Sequence, residues 1–161
     1  MSRPDSRRDT VAEEETERTP AAVTRGLDAL VPTALARRAV AVQVETDKDV
    51  YEPDESVDIR ITIANRLPLP ITVPLESQRI WWWAVDGCIE AIDEPLHVPN
   101  TPRPLSLRAR ETRSFDRRWD RRIKRDGDPP RWEAVSPGSY DVSAFVPTSP
   151  PRTDSTTVTL R

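Results

Sequence analysis

The chain has little of what most active sites are built from: one cysteine, one histidine and four glycines among 161 residues. A lone Cys88 excludes an intrachain disulfide and any cysteine-cluster metal site, and fits a reducing compartment. The glycines, at 26, 87, 127 and 138, stand apart, so no glycine-rich loop is available to cradle a phosphate. Lysine is nearly missing as well. Only Lys48 and Lys124 occur, and the remaining basic residues are arginine, a pattern of salt-adapted proteins or of a GC-rich source. No apolar run is long enough to span a bilayer, since the most apolar early window, 27–36, is broken by Asp28 and Pro32. The N-terminal charges are followed by no apolar stretch, so a signal peptide is not expected. The expected location is the cytoplasm, with no membrane as partner.

Proline, by contrast, is abundant at 17, scattered in the way of turns between short strands. Residues 1–19 are charged and aperiodic and are expected to be disordered. Residues 20–38 carry Val23, Leu27, Leu30, Val31, Ala34 and Leu35 at roughly helical spacing. They read as a linker or as a short helix capped by Thr19 and kinked by Gly26 and Pro32. From residue 39 the period becomes two. Val40, Val42 and Val44 share one face, as do Val57, Ile59, Ile61 and Ile63, and then Ile71, Val73 and Leu75. The segments "IWWWAV" and "CIEAI" flank Asp86-Gly87 as a hairpin. "LSLRAR", "TRSFDRRWD", "SYDVSAFV" and "TTVTLR" complete eight or nine short antiparallel strands. Such a series without helices predicts an all-β, immunoglobulin-like Greek-key β-sandwich over residues 39–161.

Three stretches could carry chemistry. Cys88 and His97 are a conceivable nucleophile–base pair, but no sequence context orients them. The expectation is a thiol buried in the hairpin, an exposed loop imidazole and no enzyme activity. The acidic loop Asp47, Asp49, Glu52, Asp54, Glu55 lacks the spacing of a calcium-binding loop and reads as a turn, so no metal or cofactor is expected. Nine basic residues lie between Arg108 and Arg125, interrupted by Trp119. Such a stripe can bind single-stranded nucleic acid by phosphate contact and stacking. Interspersed acids and a net charge of -3 favour instead a solvated or protein-binding strand face, with Arg117, Arg118, Arg121 and Arg122 as candidate contacts.

"YEPDESVDIRITIAN" and "SPGSYDVSAFV" resemble strands of bacterial immunoglobulin-like domains. "SQRIWWWAVDG", with the later Trp119-Asp120 and Pro-Gly-x-Tyr, is similar to the BsuPI-type intracellular proteinase inhibitors. Asp54 replaces the usual glycine, and Trp82 the usual aspartate. The resemblance implies a tyrosine corner at Tyr140 and a partner that is an intracellular serine protease, occluded by loops at one end of the sandwich. The generic alternative, and the preferred one, is an interaction or assembly module for an unknown protein partner.

In the tryptophan run, alternation separates Trp82 from Trp81 and Trp83. A two-residue loop would set Trp83 opposite Glu90, whereas a three-residue loop ending at Gly87 pairs Ala84 with Cys88 and keeps the carboxylate out of the core. The second register is expected, with Trp81 and Trp83 inward and Trp82 exposed as a candidate partner contact.

Overall fold

Val57, Ile59, Ile61 and Ile63 alternate with polar residues in one unbroken strand, and each is at most 1% exposed. That row faces a second sheet across a shared core, in a computed structural model that describes residues 31–92 and 101–161. One sheet orders β1 (Val40–Thr46), β3 (Val57–Asn65) and β8 (Thr112–Trp119) as β1-β3-β8. The other comprises β2 (Val50–Tyr51), β12 (Arg152–Leu160), β11 (Gly138–Val146), β5 (Trp82–Val85) and β6 (Cys88–Ile89), in the order β2-β12-β11-β5-β6. Two smaller ladders pair β4 (Ile71–Leu75) with β7 (Arg103–Leu107) and β9 (Arg122–Arg125) with β10 (Arg131–Ala134). From β1 to β5 each successive strand changes sheet, while β5–β6, β9–β10 and β11–β12 are hairpins within one, and the result is an all-β, immunoglobulin-like Greek-key sandwich.

The nine expected segments all form strands, and β2, β9 and β10 are additional. These three are two to four residues long, and β10 is exposed throughout, so they carry no alternation to read. β2 runs parallel to β12, a departure from the expected all-antiparallel set. Within the described part of the expected helix, α1 covers Thr33–Ala39. Pro32 starts it rather than kinking it, its carbonyl accepting from the Ala36 N–H at 2.9 Å; a proline ring is tolerated there and clashes inside a helix. Starting at Pro32 re-phases the helix, so Ala36 and Ala39 are buried while Leu35 is 47% exposed. Residues 1–19, the Thr19 cap, residues 20–30 and His97 lie outside the described residues. Among those described, no helix is long and apolar enough to cross a membrane.

The hairpin takes the other register. Val85 pairs with Cys88 and Ala84 with Ile89 across a two-residue turn, with Asp86 and Gly87 both at positive φ (46° and 80°). Cys88 is half-buried. The expected penalty of a carboxylate opposite Trp83 never arises, because the strand ends at Ile89. Glu90 and Ala91 turn into the left-handed region (φ 52° and 56°), and the Glu90 carboxylate meets Arg79 at 2.5 Å.

Trp81 and Trp83 enter the core as expected, but Trp82 is not the exposed ring. It takes the opposite face beside Phe145 and is still only 6% exposed, because the Arg79 guanidinium lies 4.2 Å from its ring centroid. The covering arginine is itself held by Glu90, so the same carboxylate that leaves the strand secures the lid on Trp82. Tyr140 forms the tyrosine corner, its hydroxyl donating to the Ser136 carbonyl at 2.6 Å.

Trp81→Ala should cost about 3–5 kcal/mol in urea denaturation, as for a large core ring. Trp82→Ala should cost about 2 kcal/mol, from lost burial and cation–π contact. A Trp82→Ala midpoint equal to that of the unsubstituted chain would contradict its burial.

Candidate functional site

β8 is where the arginine-rich segment acquires two faces. It pairs with β3 so that Ile63 opposes Arg113, Ile61 opposes Phe115, Ile59 opposes Arg117 and Val57 opposes Trp119. The β3 members of these pairs point into the core, so their β8 partners take the inner face as well. Trp119 is buried, its Nε1 donating to the Arg122 carbonyl at 2.8 Å and its ring edge-on to Tyr140 at 5.6 Å. Phe115 tilts against Trp81 at 4.9 Å, and the Arg117 guanidinium lies 4.7 Å from the same Trp81 ring. Arg113 reaches Glu111 at 2.8 Å and donates to the Ser106 carbonyl at 2.9 Å.

On the outer face the charges pair across strands. Arg118 bonds Asp58 at 2.7 Å, Arg60 bonds Asp116 at 2.8 Å, and Ser114 meets Thr62 at 3.3 Å. These arginines hold the Asp58 and Asp116 carboxyls below their ordinary range. A depression of about 520 Å³ on this face is lined by acids and bases that largely offset each other: Glu45, Asp47, Asp58 and Asp116 against Arg60, Arg117 and Arg118.

The inner-face arginines emerge instead at the side seam of the sandwich. There a groove of about 580 Å³ lies between β7 and β8, with Trp81 below it and Arg79, Arg103, Arg113 and Arg117 around it. Two of the four have carboxylate partners, Arg79 with Glu90 and Arg113 with Glu111. Arg103 and Arg117 have none among the described residues. Among the described residues the lining contains no acid. The groove thus gathers guanidinium groups on an acidic chain, and their planar donors have the geometry that pairs with carboxylate or phosphate.

Of the residues expected as contacts, Arg117 alone lines it. Trp82 is covered, Arg118 belongs to the outer ladder, and Arg122 is exposed at the start of β9. Arg121 is a correction, since it is only 9% exposed and donates to the carbonyls of Glu52 (2.5 Å) and Arg161 (3.0 Å). It ties the β8–β9 turn to the chain end and is not free to meet a partner. Arg79 and Arg103 lie outside the basic stretch singled out in the sequence, and Arg113 lies within it but was not among the expected contacts. The i, i+4 spacing of Arg113 and Arg117 around Phe115 was a readable signal for one shared strand face, whereas Arg103 comes from β7, a strand of a different ladder.

A model of a family of unknown function, DUF7974, matches residues 28–161. The chain belongs to the DUF7974 family. No curated protein matches it. Among solved structures, the CARDB domain of a Pyrococcus furiosus protein, crystallised in complex with di-metal ions, is similar at 11% identity and a TM-score of 0.45. That match covers 76% of this chain and 87% of that one. A β-glucosidase mutant from Listeria innocua, in complex with laminaribiose, is similar at 12% identity and a TM-score of 0.42; one from Erythrobacter marinus is similar at 11% and 0.44. Both matches cover 76% of this chain, which spans only 16% of the length of either glucosidase. Nothing about ligand or activity passes from these proteins to the DUF7974 domain.

The acidic loop of the domain is committed internally. Asp47 accepts from the Tyr51 hydroxyl at 2.5 Å, Glu55 pairs with Lys48 at 2.6 Å and Glu52 with Arg161 at 3.0 Å. Tyr51 is fully buried, and burial together with the Asp47 carboxylate pushes its phenol up to about 12 from 10.0. The phenol therefore ionises more readily in the unfolded chain. Its contribution to stability is whole below about pH 10 and is lost as pH rises through about 12, on the order of 2 kcal/mol in all. Urea midpoints measured across that interval should fall steeply for the natural chain and less for Tyr51→Phe. Parallel curves would assign the alkaline loss to other groups.

Proposed function

We propose that the DUF7974 domain is a non-enzymatic protein-interaction module that takes an anionic segment of a partner protein into the seam groove. The observation that carries this reading is the convergence of four arginines above Trp81 with two carboxylates to offset them among the described residues. On a chain of net charge -3, this local excess would steer and orient an acidic partner. Carboxylates fit better than bases of a single-stranded nucleic acid. Stacking needs an open ring face, and Trp81 is 5% exposed beneath its arginines. Occluding a protease, as the resemblance implies, would use loops at one end of the sandwich, whereas the groove runs along its side. That alternative draws no support from the groove.

A fluorescein-labelled peptide rich in glutamate should bind the full chain in an anisotropy titration and weaken steadily as salt rises from about 0.05 to about 0.5 M. Arg103→Glu with Arg117→Glu should weaken it by at least about tenfold, close to 1.4 kcal/mol. Unchanged affinity in that variant, with its melting temperature preserved, would contradict the assignment.

A further inference from the structure

We propose that the anionic segment binds as an added β-strand on the outer edge of β8, with carboxylates four residues apart on its inward face. This deepens the anion-groove reading and rests on it. The Asn65 N–H donates to the Glu111 carbonyl at 2.9 Å, which marks their register position as a hydrogen-bonded pair of the β3–β8 ladder. Counting on by twos, Arg113, Phe115, Arg117 and Trp119 direct their backbone groups to β3. Thr112, Ser114, Asp116 and Arg118 direct theirs to the free edge. β8 ends its sheet, and β7 pairs with β4 instead of closing that edge. Among the described residues, the side-chain contact on the edge backbone is Arg117 Nη1 to the Asp116 carbonyl at 2.8 Å.

The opposite edge of the same sheet is treated differently. On β1, Arg152 Nε donates to the Val40 carbonyl at 3.0 Å, and the Val44 N–H donates to Asp154 Oδ2 at 2.8 Å. Side chains of β12 thus close one seam, while the arginine groove lies along the other.

The inward row Arg113, Phe115, Arg117 dictates the sequence an added strand would carry. A carboxylate belongs opposite each arginine, about 13 Å apart along an extended chain, with an apolar residue between them beside Phe115. Outer-face positions would be neutral, since Asp116 and Arg118 are offset one for one there, whereas the groove arginines outnumber their carboxylate partners among the described residues, Arg113 having Glu111 and Arg117 none. Inward charges on an edge strand repel apolar strands, and a second copy of β8 would set arginine against arginine, so an acidic strand is the one these charges admit.

The test uses acetyl-Thr-Glu-Thr-Val-Thr-Glu-Thr-amide with the full chain, followed by residue-resolved amide exchange. Added peptide should slow exchange at Ser114, Asp116 and Arg118, and N-methylation of its edge-facing amides should weaken binding by about tenfold or more. Binding without that protection, and indifferent to N-methylation, would overturn strand addition while leaving the anion groove standing. Failure of this peptide and of every glutamate-rich peptide to bind would overturn both. Slow exchange at those amides before peptide is added, or preference for an oligonucleotide of equal charge, would also overturn the proposed occupant.

Discussion

The inward row of β3 is the constraint on which the rest of the molecule depends. Val57, Ile59, Ile61 and Ile63 bury almost all of their surface, and a slip of one residue would place Asp58, Arg60 and Thr62 in the core. That penalty locks β3, and through the ladder it locks β8. Arg113 and Arg117 therefore take the inner face because their partners on β3 cannot do otherwise. Two charged side chains on a core-facing strand surface must reach water, and the seam is where they can. Trp81 supplies the aromatic face along which Arg117 leaves.

The same logic separates structural arginines from available ones. Arg118 and Arg60 are held in cross-strand pairs, Arg121 is spent on backbone carbonyls, and Arg79 roofs Trp82. The seam cluster differs, because there guanidinium groups outnumber carboxylates among the described residues. β7 and β8 follow one another in the chain but pair in different sheets, and that leaves the cluster between them accessible. They are joined at a turn where Glu111 binds the Arg108 N–H at 2.6 Å, and the groove lies between them.

The sandwich was legible in the sequence wherever period-two alternation ran for five residues or more, as in β1, β3, β4 and β11. It was not legible in β2, β9 and β10, which are too short to show a period; β2 is held by the distant β12, and β9 and β10 by each other. The tryptophan run was half legible. Alternation placed Trp81 and Trp83 in the core, but the burial of Trp82 depends on Arg79 folding back over it, which no periodicity encodes. The hairpin register was misread for a related reason. The cost of placing Glu90 opposite Trp83 assumed a strand continuing past Ile89, and two residues at positive φ end it there. Of the groove, only Arg117 was anticipated, because the segment was read as one solvated face and not as two faces divided by the pleat.

The central claim is that Arg117 presents its charge to an anionic strand in the seam groove, and a charge swap tests it most directly. Arg117→Glu should lose affinity for a peptide carrying glutamate opposite that position and gain it for the same peptide carrying lysine there. The unsubstituted chain should show the reverse preference. If the two peptides bind both proteins in the same order, Arg117 does not face the ligand and the account is wrong.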